Sequence, residues 1–96
     1  MVYAESINKF YFEKQLSNNV SIDEMFVVIH SIKQTFNFKI QSLSSDVSKK
    51  IIIIFENEVK ITIRDICNKE YLIVETNSKV DFDNLWDFFS NINIGK

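Results

Sequence analysis

The chain has 96 residues with 11 Lys and Arg against 13 Asp and Glu, a formal charge of -2 and a pI near 5.3, so it lacks the basic stripe expected of a nucleic-acid binder. Hydrophobic residues at 46% and charged residues at 25% place it among globular rather than disordered chains, and its size predicts one domain over residues 1–96, stable without metals or disulfides. One Gly, at position 95, and no Pro exclude glycine-rich phosphate loops.

Residues 4–17, AESINKFYFEKQLS, place Ile7, Phe10, Tyr11 and Leu16 near one helical face and predict a first helix, although Phe10 and Phe12 would equally suit a strand. Asn18-Asn19 breaks that pattern, and the sequon Asn19-Val20-Ser21 reads as accidental, since no secretory signal is expected. Ser21 and Glu24 form an S-x-x-E capping box with Val20 and Met25 as the flanking hydrophobic staple, which predicts a second helix. Ile22, Met25, Phe26, Ile29, Ile32 and Phe36 give it one apolar stripe, with His30 at the edge. No second catalytic group accompanies His30, which reads as a boundary residue. Asn37 ends the helix, Phe38–Leu43 alternates as a candidate strand, and Ser42–Ser48 with Asp46 reads as a solvated connection.

Lys49–Thr76, KKIIIIFENEVKITIRDICNKEYLIVET, reads as a three-stranded antiparallel meander. Lys49 and Lys50 guard the isoleucine run against intermolecular pairing. Two-residue turns at Asn57-Glu58 and Asn68-Lys69 would pair Glu56 with Val59 and Cys67 with Glu70. That register predicts a dry face of Ile52, Ile54, Val59, Ile61, Ile63, Leu72 and Val74 beneath helices. It leaves Ile51, Ile53, Phe55, Tyr71 and Ile73 among Lys60, Thr62, Arg64 and Glu75 on the other face, too apolar for ordinary surface. The N-terminal segment would cover that face, or a partner would.

Asn77-Ser78-Lys79 then breaks the chain before a last helix that starts at Asp81, with Val80 and Leu85 in staple positions. Phe82, Leu85, Trp86, Phe89 and Ile92 form its apolar face, which packs most simply beside the second helix. Asp81, Asp83 and Asp87 resemble the start of a calcium loop but lack its Gly and terminal Glu.

The elements sum to an α+β domain in the order α-α-β-β-β-β-α, an antiparallel sheet of about four strands with helices on one face. No metal site is expected from one Cys and one His far apart, and no nucleophile elbow or activating neighbour marks a catalytic residue, so the chain reads as non-enzymatic and free of cofactors. Cys67 reads as a small buried hydrophobe in a reducing compartment. The start MVYAESINKF has no signal-like pattern and no run approaches membrane-spanning length, so a cytoplasmic protein without membrane contact is expected.

Short, acidic, Gly-poor and carrying KKIIIIFE and DNLWDFF, the chain resembles in general character many small bacterial or phage-encoded proteins, among them the immunity proteins that neutralise antibacterial toxins. The resemblance implies tight binding to a toxin with a basic surface, often a nuclease, and inhibition by covering its active site or substrate surface. The candidate partner-binding residues are Tyr71, Glu75, Phe55 and Arg64 on the uncovered sheet face and Asp83 and Asp87 on the last helix. Two alternatives remain: an RNA- or single-strand-binding module, with Phe55 and Tyr71 stacking bases while Lys60 and Arg64 meet phosphates, and a homodimer through the same face.

Overall fold

The computed structural model describes residues 2–6, 9–16, 22–45, 51–67 and 69–92. The elements are β1 (Val2–Ser6), β2 (Lys9–Gln15), α1 (Ile22–Phe36), β3 (Ile40–Ser45), β4 (Ile51–Phe55), β5 (Lys60–Ile66), β6 (Lys69–Thr76) and α2 (Lys79–Ser90). The class is α+β with an antiparallel sheet, as expected. The sheet has six strands rather than about four, in the order β1-β2-β6-β5-β4-β3.

The first predicted helix is instead the β1–β2 hairpin, and β2 pairs with β6 through Phe10↔Thr76, Phe12↔Val74 and Lys14↔Leu72. Alternation in Phe10-Tyr11-Phe12-Glu13 outweighs the helical spacing because β6 offers it a partner edge. Phe12 is thereby fully buried, whereas Tyr11 on the opposite face is 36% exposed. The Ser21 capping box, the Val20 staple, the sequon, Asp46, Lys49 and Lys50 lie outside the described residues.

The meander forms, with two different departures in register. Glu56-Asn57-Glu58 makes a three-residue loop: the Phe55 N–H donates to the Val59 carbonyl (2.8 Å) and the Glu58 N–H to the Phe55 carbonyl (3.1 Å), with Glu58 at φ 66°. A two-residue type I′ turn needs positive φ at both central positions, which Asn-Glu without Gly supports poorly; a three-residue loop needs one such residue. The resulting pairing, Ile53↔Ile61 and Ile54↔Lys60, is one residue away from Glu56 opposite Val59, and so turns β4 over. Ile53 and Phe55 belong to the dry face, and Ile52 and Ile54 to the other.

Between β5 and β6 the turn is one position earlier than expected, with Ile66↔Lys69 paired and Cys67 at φ 52°; Asn68 lies outside the described residues. The slip there is two residues, which leaves every side chain on its expected face. Cys67 itself is exposed rather than a buried hydrophobe.

On the dry face a row runs through Phe12, Val74, Ile61 and Ile53, each at most 1% exposed. From α1, Met25, Val28, Ile29 and Ile32 join this core, and from α2, Phe82, Leu85 and Phe89. Both helices therefore lie on one side of the sheet. Aromatic rings join the layers: Phe36 of α1 meets Phe88 of α2 edge-on at 5.9 Å, and Phe12 of β2 meets Trp86 of α2 at 5.3 Å. Phe26, expected in the apolar stripe of α1, is 48% exposed, and Val28 is buried in its place.

Asn37 ends α1 in the left-handed region at φ 58°, a conformation Asn tolerates. The start of α2 is earlier than Asp81: Ser78 is its N-cap and its hydroxyl accepts from the Asp81 N–H (3.3 Å), while Val80 is 69% exposed and forms no staple. The last turn of α2 has no basic residue of its own. Lys14 of β2 supplies the charge, donating from Nζ to the carbonyls of Phe89 (2.6 Å) and Ile92 (2.9 Å). Burial holds its pKa below the ordinary lysine value.

Candidate functional site

Among the described residues no helix lies on the other face of the sheet. Directly paired residues share a face, so the register lays out its rows. One runs Tyr11–Glu75–Lys60–Ile54–Ser42, the next Glu13–Ile73–Thr62–Ile52–Ser44, and the third Gln15–Tyr71–Arg64. Ile52, Ile54, Tyr71 and Ile73 are half-buried. Thr62, between Ile52 and Ile73, is buried.

The polar groups on this face carry both signs. Lys60 and Glu75 sit opposite each other in neighbouring strands, and Lys9 Nζ reaches Glu75 Oε2 at 3.9 Å. Lys9, Lys60, Ile54, Glu58 and Glu75 line a shallow depression of about 280 Å³ at the end of the sheet nearest the β4–β5 loop. Asn77 closes that end, donating from Nδ2 to Glu58 Oε2 (2.8 Å), and Asn57 Nδ2 donates to Asp81 Oδ2 (3.1 Å). The loop that sets the register of β4 is thus tied to the start of α2.

Of the residues marked from the sequence, Tyr71, Glu75 and Arg64 stand together on the open face. Phe55 does not: the one-residue slip places it in the core, fully buried against Phe38 (5.4 Å). Asp83 and Asp87 lie on the exposed side of α2, beyond the helix layer, and share no surface with Tyr71. Asp83 pairs with Lys79 at 3.0 Å, and the Asn91 side chain donates to the Asp87 carbonyl at 2.9 Å. Tyr11, Glu13, Ile52 and Ile54 belong to the face and were missed. The alternation of Lys9–Lys14 was the signal for the first two; only the loop length reveals the isoleucines.

His30 and Cys67 are both exposed, on α1 and at the β5–β6 turn. Among the described residues no three His, Cys, Asp or Glu side chains gather to hold a metal ion, and no helix is long and apolar enough to cross a membrane. The chain matches no protein family, no curated protein and no solved structure.

Proposed function

We propose that this domain is a protein-binding inhibitor whose open sheet face seats the partner. The observation that carries the reading is the contiguous surface of exposed Tyr11 and half-buried Ile52, Ile54, Tyr71 and Ile73 on the face opposite α1 and α2. Rigid aromatic side chains on a flat strand lattice are effective binding anchors, since little side-chain entropy is lost when they are covered. Alternating Lys60, Arg64, Glu13 and Glu75 favour a partner of mixed charge, hence a protein, over a phosphate chain that would meet both carboxylates.

In its most concrete form the partner is an antibacterial toxin and the domain its immunity protein, in line with the general resemblance of the chain. Glu75 and Glu13 would pair with basic groups of the toxin, and Tyr71 would be the central anchor. Asp83 and Asp87 are left out of this interface.

The test is titration calorimetry against the protein encoded beside this one. Tyr71→Ala is expected to weaken binding by at least about 30-fold, the loss typical of an interface hot spot, while Asp87→Ala leaves it unchanged. The reverse pattern would move the interface to the helix layer. A salt-sensitive gel shift with RNA that Arg64→Ala abolishes would replace the protein partner with a nucleic acid.

A further inference from the structure

The charges of the open face are sorted by strand. Within its three rows the basic groups, Lys60 and Arg64, both stand on β5, and the acidic groups, Glu75 and Glu13, stand on β6 and β2. Among the described residues neither Lys60 nor Arg64 forms an ion pair. Glu75 meets Lys9 at a long 3.9 Å and keeps 32% of its side chain exposed, so it retains room for a second cation.

Sheets that pack face to face keep their strands nearly aligned, and a two-fold axis makes each contact occur twice. Two placements of that axis bring the middle of the face onto itself. An axis across the strands at Thr62 sets Lys60 over Arg64 of the second copy and Glu13 over its own counterpart, and both contacts repel. An axis along the strands, midway between β5 and β6, exchanges those two columns. Lys60 then lies over Glu75 of the second copy, Arg64 over the ring of Tyr71, and, one column further out, Ile54 over Tyr11. The pattern is therefore complementary to itself about one axis and repulsive about the other.

The face is about 24 Å wide across β2, β6, β5, β4 and β3 and about 20 Å long. Two copies in contact cover roughly 1,000 Å², the low end for a specific interface, which suits a reversible pairing and not an obligate one. We propose that the free domain closes its docking face on a second copy about the axis between β5 and β6, and that the partner displaces this copy. The pairing stands on the face alone; only the displacement rests on the inhibitor reading.

Sedimentation across a concentration series reads the pairing directly. Wild type is expected to pass from the 11.3 kDa chain to twice that mass through the micromolar range. Lys60→Glu sets two carboxylates against each other at both contacts, and Glu75→Lys sets two amines. Each alone is expected to weaken association at least about tenfold, with an unchanged circular dichroism spectrum. Mixed in equal amounts, the two variants are expected to pair with each other to nearly the wild-type extent, because in the mixed dimer every carboxylate again faces an amine. Asp87→Ala, on the helix layer, is expected to leave the dimer unchanged.

A wild-type chain that stays monomeric throughout the series overturns the proposal, as does a dimer that both single variants leave intact. Variants that remain monomeric when mixed overturn the axis between β5 and β6. The protein encoded beside this one, added to the wild-type dimer, is expected to give a complex with one copy of each chain. A dimer that ignores that protein leaves the pairing standing and removes the inhibitor reading; a permanent monomer that binds it does the reverse.

Discussion

The two faces of this sheet meet opposite fates even where their residues are nearly the same. β4 is the clearest case: in Ile51–Phe55, Ile53 is 1% exposed and Phe55 fully buried, while Ile52 and Ile54 stay half-buried on the other side. Chemistry does not separate them, since three of the four are isoleucine. What separates them is the layer of α1 and α2 on one face, and a loop of three residues that decides which isoleucines meet it. Burial here belongs to the position in the layer, and the open face is apolar because β4 supplies apolar residues to both sides.

The sharpest way to break the comparison is to place the same charge on adjacent residues. Ile53→Asp is expected to lose more than about 4 kcal/mol, enough to unfold a small domain, because the carboxylate has no water and no partner. Ile54→Asp is expected to fold normally, facing solvent beside Lys60, its cross-strand partner. Urea denaturation of the two variants checks the assignment of faces; similar losses in both would refute it.

Truncation should show the same asymmetry. Phe55→Ala is expected to cost about 3–5 kcal/mol through the cavity it leaves, and Tyr71→Ala about 1 kcal/mol or less. Equal midpoints in chemical denaturation would mean that the open face is covered after all.

Lys14 is the exception on the dry face, a cation admitted because α2 ends above it. Lys14→Met strands the Phe89 and Ile92 carbonyls and is expected to cost on the order of 2 kcal/mol. Its pKa, lowered by burial, also gives stability a pH dependence. The folded chain binds this proton less tightly than the unfolded one, so Lys14 contributes increasing stability as pH rises from its lowered folded value to the ordinary 10.5, and less below that window. The neutral amine keeps two N–H groups, enough for both carbonyls. The unfolding free energies of wild type and Lys14→Met should diverge across that alkaline range as wild type gains with rising pH; a constant difference would contradict the assignment.

Smaller effects concern the loop and the helix surface. Glu58→Gly relieves the left-handed backbone but gives up the hydrogen bond from Asn77, and a net gain below about 1 kcal/mol is expected in thermal denaturation. Asp83→Ala removes only an exposed i,i+4 pair with Lys79 and should cost about 0.3–0.5 kcal/mol. A larger loss would show that the helix surface matters more to the fold than the open face does.

How much of this was legible in the letters depended on whether an error in counting could be forgiven. The β5–β6 turn was misplaced, yet Ile61, Ile63, Leu72, Val74, Tyr71, Arg64 and Glu75 all fall on their expected faces because a slip of two restores the pleat. The β4–β5 loop is one residue longer than its spacing predicts, and that residue places Phe55 in the core and not on the open face. The N-terminal hairpin was hidden because Phe10, Tyr11 and Leu16 satisfy a helical and a strand spacing at once, and only the waiting edge of β6 breaks the tie.

By itself, then, the sequence determined the α+β class, the alternating β5 strand, the apolar stripe of α1 with its Asn37 stop, and the aromatic face of α2, since each follows from periodicity within one segment. Only the tertiary structure decided which side of β4 is core, that residues 9–15 are a strand, and that Asp83 and Asp87 stand on the far side from Tyr71. These depend on contacts between segments distant in the chain, where one residue of loop length or one available strand edge reverses the outcome.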